Sequence, residues 1–394
     1  PEYSGLYRYS SLFDEDWLRE AFDGPVRYLI NPNAPKSHVG PYVPWPLAAL
    51  TARGLMRATL SWLMCLTRAR KWSDVLMLWA ACEAEQRLKN TALSITSEYP
   101  NLRVAVVAFD MQIPPVLLFA LAKCGVRSFS FQERPAIAVD QGAFIAADVV
   151  LAASPWFSQQ LKESWAYTLR AVVAVGMWRT DLVVKKSATQ SAPRTKRIMV
   201  LPYTPVTDES QIAFPVSSSV ASVKHFIQET LHLARDFSDC QFVLRAKSIN
   251  WLDIESFSDI RVMLESLDNV EVSRDYEKLN VSYQFLAESE LVLCKPTSLG
   301  EEALSLGIPT IFHDYTHNSV GYHRPIWTHI PEELWVQSSQ ELNETLADII
   351  YRESDKDFSW NQRCKSVFGE LNDGYVQFRS REFVRDWQIK SKGI

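Results

Sequence analysis

Two series of short apolar runs, separated by one polar stretch, constrain the fold of this chain more than any other feature of its sequence. The runs of the first series are rich in Val, Ile and aromatic residues, and several are apolar throughout. This pattern is typical of parallel strands that are buried on both faces. The predicted strands are residues 26–32, 74–81, 103–110, 126–132, 148–154 and 171–177, and helices are predicted at 114–125 and 155–164.

The alternation restarts after residues 185–197, a polar and basic stretch without periodicity that predicts a linker. Two successive strand–helix series predict an α/β fold of two Rossmann-like domains that face each other across a cleft. We expect the domains at 1–184 and 198–375, and a last helix at 376–394 that packs back on the first domain. The second series predicts strands at 198–204, 241–248, 270–276, 290–295, 309–315 and 332–337, and helices near 219–236, 256–267 and 298–307.

The composition excludes several classes of protein. With 394 residues, 47% of them apolar and 22% charged, the chain is long enough for two cores and too balanced for a disordered protein. Its net charge of −5 argues against a nucleic-acid partner. The six cysteines form no Cys-x-x-Cys pair, and no uncharged apolar run reaches the roughly 18 residues that span a bilayer. These features predict a cytoplasmic protein with reduced thiols.

A candidate site lies in LVLCKPTSLGEEALSLGIPTIFHDY, residues 291–315, where a predicted strand is followed by a turn and a helix. The first N–H groups of a helix lack partners and carry the positive end of its dipole, so they attract phosphate. Thr297 and Ser298 offer hydroxyls, Gly300 permits close approach, and one of the two adjacent glutamates suits the ribose hydroxyls of a nucleotide. The alternative is structural, because Ser298 and Glu301 also have the spacing of a capping box.

The flanking residues EALSLGIPTI and the preceding NVEVSRDYEKLNVSYQFLAESELVL resemble the donor-binding half of bacterial GT-B glycosyltransferases. The resemblance implies that this helix start binds the donor nucleotide. It also implies contacts from the loop LPYTPVTDES, after the first strand of the second domain, and from LRAKS, after the next strand. The implied donor-binding residues are Tyr203, Thr204, Lys247, Lys295, Thr297, Ser298, Leu299, Gly300, Glu301 and Glu302.

Three segments of the first domain resemble, in the same order, GT-B enzymes of surface-polysaccharide assembly: GVRSFSFQERP, ADVVLAASPWFSQQLKES and VGMWRTD. Glu133 and Arg134 stand where many of those enzymes have His-Gly, and transferases of Kdo (3-deoxy-D-manno-octulosonic acid) carry an acidic residue in the equivalent element. The resemblance therefore implies a β-Kdo transferase that uses CMP-Kdo to extend a lipopolysaccharide, O-antigen or capsule glycan. Arg134 and Arg245 would bind the sugar carboxylate, and Gln132 and His313 would line the cleft.

A catalytic carboxylate is implied by the same resemblance. Glu133 is the first candidate for a nucleophile that forms a glycosyl-enzyme intermediate and so retains the configuration of the sugar, followed by Asp110, Asp208 and Asp140. An ion pair between Glu133 and Arg134 or a nearby lysine is the structural alternative. No cofactor is expected besides the donor substrate. No metal is expected either, because GT-B enzymes normally need none and the histidines after residue 312 do not have the spacing of a common zinc motif.

The expected partners are a nucleotide-sugar donor and a lipid-linked or oligosaccharide acceptor. Residues 50–71 combine Leu, Met and Trp with five basic residues and no acidic one. This stretch is either an amphipathic helix that touches an anionic membrane or an ordinary helix with a basic outer face. Contact with a lipid-linked acceptor would place the protein at the inner face of the inner membrane.

Three other functions fit the same sequence. The first is a GT-B transferase that uses a UDP- or GDP-hexose. The donor stays open because this chain has Arg245 and Lys247, which suit a phosphate or a sugar carboxylate, where related enzymes carry a His-Pro-like motif. The second is a non-catalytic module that binds a nucleotide sugar or a glycan. The third is a sugar epimerase of the same two-domain shape, which would convert a UDP-sugar without an acceptor and would need paired carboxylates and a histidine in the cleft.

Overall fold

The strands of this protein form two parallel sheets, one before and one after the predicted linker. The computed structural model describes residues 6–7, 28–30, 42–44, 52–66, 71–107, 115–132, 146–165, 170–187, 196–205, 219–246, 249–274, 279–295, 297–313, 334–336, 338–351 and 359–391.

The first sheet has, within these residues, the strand order β3-β2-β1-β4-β5-β6-β7, and all neighbouring strands are parallel. Its strands are β1 (Leu6–Tyr7), β2 (Tyr28–Ile30), β3 (Tyr42–Pro44), β4 (Val104–Val107), β5 (Arg127–Phe131), β6 (Val149–Ala152) and β7 (Ala171–Ala174). Parallel neighbours need crossover connections, which are mostly helical. The helices are α1 (Ala52–Cys65), α2 (Trp72–Glu98), α3 (Pro115–Lys123), α4 (Pro155–Trp165) and α5 (Thr180–Ser187).

The second sheet repeats the plan with the order β10-β9-β8-β11-β12-β13, again parallel throughout the described strands. Its strands are β8 (Arg197–Leu201), β9 (Gln241–Arg245), β10 (Val270–Ser273), β11 (Leu291–Cys294), β12 (Thr310–His313) and β13 (Trp335–Val336). The helices are α6 (Val220–Asp236), α7 (Ser258–Glu265), α8 (Leu279–Glu288), α9 (Ser298–Ser305), α10 (Ser339–Tyr351), α11 (Ser359–Phe368) and α12 (Val376–Ser391), with short 3₁₀ turns at Asn250–Asp253 and Glu255–Phe257.

The predicted architecture of two α/β domains with parallel sheets is confirmed, but one element was assigned wrongly. Residues 74–81, predicted as a strand, lie inside the 27-residue helix α2. The buried side chains of α2 include Cys82 and Gln86, four residues apart, and Ala92 and Ile95, three residues apart, as a helix requires, while Leu76 and Met77 are exposed. Helix α5 continues to Ser187 and β8 begins at Arg197, so both ends of the predicted linker 185–197 overlap regular elements.

The second sheet is covered on both faces, which explains its apolar strands. Alternate residues of a strand point to opposite faces. In β8, Ile198 and Val200 pack with Phe226 of α6, whereas Met199 packs with Ala303 of α9 on the other face. Helices α6 and α9 therefore lie on opposite sides of the sheet.

The C-terminal helices return to the first domain. Phe368 of α11 lies against Phe157 of α4, with ring centroids 5.9 Å apart, and the Ser154 hydroxyl donates to the carbonyl of Val367. Val376 and Val384 of α12 pack with strands of the first sheet. The return therefore begins with α11, which lies before the helix at 376–394 that was expected to make it.

A membrane-spanning helix is absent from the part of the chain that the structure describes, since none of its helices combines the required length with the required hydropathy.

Candidate functional site

The second sheet has a defined place for a ligand. Its strand order reverses between β8 and β11, which are hydrogen-bonded neighbours, and the helices that follow them cover opposite faces. In doubly wound sheets, ligands bind in the crevice beyond the carboxyl ends of the strands at such a reversal. The starts of α6 and α9 therefore flank the candidate site.

Both helix starts are capped by hydroxyl side chains. Ser219 accepts a hydrogen bond from the backbone N–H of Ser222 (3.2 Å) at the start of α6. Thr297 accepts one from the N–H of Gly300 (3.3 Å) at the start of α9, so the cap is Thr297 and not Ser298. The first turn of α6 contains no acidic residue. Two positive dipole ends are thus directed to one edge of the sheet.

Lys295 connects the end of β11 to the start of α6. Its ammonium group donates to the hydroxyl of Ser222 (2.8 Å) and lies 6.0 Å from the ring centroid of Phe226. The residue is only 1% exposed. A buried lysine at a helix start adds a full positive charge to the two dipole ends, which makes this edge suited to an anionic ligand.

His313 lies at the end of β12, next to the same group. Its ring meets that of Phe226 edge to face, with centroids 4.7 Å apart. Burial lowers the pKa of His313 well below its ordinary value, and the positive charges of Lys295 and His225 lower it further. The imidazole is therefore neutral at neutral pH.

The two glutamates of α9 have different surroundings. Glu302 is 3% exposed and forms a hydrogen bond with Tyr283 of α8. Arg179, which directly precedes α5, forms a second hydrogen bond with Tyr283. Burial, with the charge of Glu302 as the next cause, raises the pKa of Tyr283 well above its ordinary value. Glu302, Tyr283 and Arg179 thus form a polar contact between the second domain and the end of the first.

Glu301 lies on the sheet side of α9. It is 1% exposed, and its charge adds to burial in raising the pKa of Cys294, which keeps that thiol protonated. The neighbouring Gly300 is explained by packing. A Cβ on Gly300 would stand 2.7 Å from the sulfur of Cys294 and 3.1 Å from the ring of Phe312. This packing accounts for the glycine without a ligand, and its predicted phosphate contact stays a prediction.

Arg245, a predicted sugar-carboxylate contact, has hydrogen-bond partners within the second domain. It ends β9, is 3% exposed, and donates to the hydroxyls of Ser282 (3.0 Å) and Ser273 (3.1 Å). Its guanidinium group holds β9, β10 and α8 together. Its contact with the sugar carboxylate stays a prediction.

Some of the remaining predicted residues lie in the part of the chain that the structure describes, and the others lie outside it. Tyr203 and Thr204 follow β8 at the correct edge, half-buried and exposed respectively, and Ser298 and Leu299 are half-buried at the start of α9. Gln132 directly follows β5 in the first sheet, and its side-chain oxygen accepts from the N–H of Ala153 (2.8 Å). Outside the described residues lie Asp110, Glu133, Arg134, Asp140, Asp208 and Lys247.

Sequence reasoning missed Ser222, Tyr283 and Arg179. Ser222 stands three residues after Ser219 at the start of a predicted helix, and this spacing is a recognisable helix-start signal. No comparable signal marks the other two, because Arg179 contacts a helix about a hundred residues further along the chain.

No protein-family model and no curated protein matches the sequence. Solved structures do match along its whole length. A UDP-GlcNAc 2-epimerase from Neisseria meningitidis, bound to UDP-GlcNAc, has a TM-score of 0.55 at 13% identity, over 96% of this chain and 99% of the other. The S. aureus MnaA–UDP co-structure has a TM-score of 0.53 at 11% identity, over 98% of this chain and 97% of the other. The wall teichoic acid polymerase TagF, soaked with CDPG, has a TM-score of 0.56 at 10% identity, over 100% of this chain and 89% of the other.

At these identities the likeness establishes the fold. The chain is a GT-B-type protein, with two Rossmann-like domains whose second sheet carries the candidate site. Its similarity extends both to sugar-nucleotide epimerases and to a polymerase of the cell wall.

Proposed function

We propose that this protein is a GT-B glycosyltransferase that binds a nucleotide-activated sugar at the starts of α6 and α9 and transfers the sugar to an acceptor on the first domain. The observation that supports it is the pair of capped helix starts at the strand-order reversal, with the Lys295 ammonium group bonded to Ser222 at the start of α6. Together these groups supply backbone donors and positive charge where a diphosphate would lie.

The chemistry follows from where negative charge develops. Departure of the sugar leaves charge on the nucleotide phosphate, and the fixed helix dipoles and Lys295 would stabilise it without reorganisation. One glutamate of α9 would accept the ribose hydroxyls, as the sequence predicts. A carboxylate among Glu133, Asp110 and Asp208 would act as nucleophile or as general base for the acceptor hydroxyl.

A UDP-sugar is the donor that we favour. Two helix starts suit a diphosphate, whereas CMP-Kdo has one phosphate and a sugar carboxylate. The matching solved structures include complexes with UDP-GlcNAc, UDP and CDPG, and none of these ligands is a CMP-sugar. CMP-Kdo, for lipopolysaccharide or capsule assembly, is the second donor hypothesis.

The test is a thermal-shift series with UDP, CDP, GDP, ADP and CMP at saturating concentration. We expect UDP to raise the melting temperature by a few degrees, because it binds the native state alone. Lys295→Met should lower the affinity for UDP at least tenfold. Lys224→Met is the matched control, since Lys224 also lies in the first turns of α6 but pairs with Asp259 (2.8 Å) away from the site.

Other outcomes of the thermal-shift series would change the donor, the site or the function that we assign. A shift with CMP alone would favour the Kdo hypothesis. Equal affinity of the Lys295→Met protein and the control for UDP would remove the site assignment, and Ser222→Ala provides a second variant if Lys295→Met unfolds. No shift with any nucleotide would contradict the proposal.

A second candidate function is epimerisation of a UDP-sugar. It is favoured by the mutual coverage of 96% and 99% with an epimerase that binds UDP-GlcNAc. Incubation with UDP-GlcNAc, followed by proton NMR, separates the possibilities. A new UDP-sugar formed without acceptor would indicate an epimerase. UDP release that requires an added acceptor would indicate a transferase, and binding without turnover would indicate a binding module.

A further inference from the structure

The helical hairpin of α1 and α2 carries most of the exposed large apolar side chains. The described residues include fifteen exposed large apolar side chains, and eight of them lie between residues 55 and 77. We name this set the hairpin patch. Its members, with their exposed fractions, are Leu55 (48%), Met56 (58%), Leu60 (53%), Leu63 (50%), Met64 (74%), Trp72 (84%), Leu76 (69%) and Met77 (70%).

Helix α1 buries small residues and exposes large ones, which is the reverse of an ordinary surface helix. Helix α1 packs along α2 and buries Gly54 and Ala58. Trp62 fixes the pair, because its ring N–H donates to the carbonyl of Val75 (3.0 Å) and its ring lies edge to face with Trp79 at 5.5 Å. The outer face is therefore held rigidly outward. An exposed apolar surface of this extent indicates a binding surface.

The charge around the patch selects the partner. Residues 53–73 include Arg53, Arg57 and Lys71, together with two further arginines in the connection between the helices, and no acidic residue. Arg53 and Arg57 are exposed on α1. The next acidic residue, Asp74, accepts from the backbone N–H of Lys71 (3.0 Å) at the start of α2. Cations that border an apolar face complement a negatively charged partner.

We propose that the hairpin patch binds the headgroup region of an anionic membrane. Its leucine and methionine side chains would enter the acyl boundary, Trp72 would lie at the interface, and the arginines would contact lipid phosphates. A second copy of this chain would instead bring two cationic surfaces together. The inference concerns a surface of the first domain and does not depend on the proposed donor site.

The test is flotation of the full chain with vesicles of phosphatidylglycerol and phosphatidylcholine in equal parts, against vesicles of phosphatidylcholine alone. We expect binding to the anionic vesicles that weakens as salt increases. The double variant Arg53→Gln, Arg57→Gln should bind about twenty-five-fold more weakly, which is about fivefold or ~1 kcal/mol for each cation.

The apolar part of the proposal has a matched pair of variants. Leu76 and Leu93 lie on the same helix and are both 69% exposed, but only Leu76 belongs to the hairpin patch. Leu76→Gln should lower vesicle binding about tenfold. Leu93→Gln should leave it unchanged, and both proteins should keep the wild-type melting temperature.

Three results would overturn the proposal. The first is wild-type protein that stays free of anionic vesicles at low salt. The second is equal vesicle binding by the Leu76→Gln and Leu93→Gln proteins. The third is a dimer in sedimentation that Leu76→Gln dissociates while vesicles bind neither form, because the patch would then belong to a second copy of the chain.

Discussion

Gly176 is a residue whose backbone and surroundings both require glycine. Its φ of 107° is rarely adopted by L side chains. A Cβ there would also stand 2.7 Å from the carbonyl oxygen of Leu371 and 2.7 Å from a methyl of Val376. The segment after β7 can therefore approach the C-terminal helices closely only with glycine at this position.

We predict that Gly176→Ala lowers the free energy of unfolding by about 2–4 kcal/mol, from backbone strain and from the displaced contacts. Gly125→Ala is the control, because Gly125 also has a positive φ of 76° but has nothing within 4 Å of the added methyl. That variant should lose only about 1 kcal/mol. Urea unfolding measures both, and equal losses would show that the close approach at Gly176 is not limiting.

His313 makes stability depend on pH in a defined direction. The unfolded chain binds the proton near the ordinary pKa of 6.5, whereas the folded protein binds it only at lower pH, because burial and Lys295 disfavour the charged ring. The contribution is complete above pH 6.5 and is lost as the pH falls below it, by up to about 1.4 kcal/mol per unit. We predict that His313→Gln shows a shallower loss of unfolding free energy than wild type between about pH 6.5 and about pH 5. Parallel urea midpoints in the two proteins would contradict this.

At the scale of elements, the start of α12 is capped by a side chain from α5, which lies far away in the sequence. The carboxylate of Asp181 on α5 accepts from the N–H groups of Val376 (3.0 Å) and Gln377 (2.9 Å). Asn372 accepts from the N–H of Met177 (2.7 Å) in the same region. Two segments almost two hundred residues apart are thus joined at one helix start.

We predict that Asp181→Ala costs about 2 kcal/mol and raises hydrogen exchange in the first turns of α12, because two buried N–H groups lose their acceptor. Asp181→Asn keeps one acceptor oxygen and should cost less. Exchange measured by mass spectrometry localises the effect. Unchanged protection at 376–380 in the alanine variant would show that the cap does not hold this helix.

How far the elements follow from the sequence depends on the range of the interactions that fix them. The strands of the second sheet follow from local apolar runs, and the start of α9 follows from Thr297. The run at 74–81 was misassigned because its seven consecutive apolar residues fit either a buried strand or a helix. The structure decides for a helix, because α2 continues to Glu98 and packs on α1.

The candidate site shows the same division. Helix starts and strand ends were predictable because both are local. The partners of Glu302 and Arg245 were not, since Tyr283, Arg179 and Ser282 come from α8 and from the end of the first domain. A carboxylate or guanidinium group in a sequence does not reveal whether it faces a ligand or another element.

At the scale of the molecule, one apolar cluster joins the two halves. It contains Phe157 and Leu161 of the first domain, Met199 and Ala303 of the second, and Phe368 of the returning α11. Apolar contact of this kind couples the stability of two domains, because neither half keeps its core when the other unfolds.

We therefore predict a single calorimetric unfolding transition, with equal calorimetric and van't Hoff enthalpies, for the wild-type protein. Phe368→Ala removes a side chain that is 2% exposed and should cost about 3–5 kcal/mol. Because Phe368 packs on α4 across the junction, this variant should unfold in two steps. Phe237→Ala, in the core of the second domain alone, should lower the melting temperature without separating the steps. Two transitions in the wild type would mean that the domains unfold independently, which contradicts the prediction. A single transition in the Phe368→Ala protein would mean that the coupling rests instead on the polar contacts of Asp181, Asn372 and Glu302.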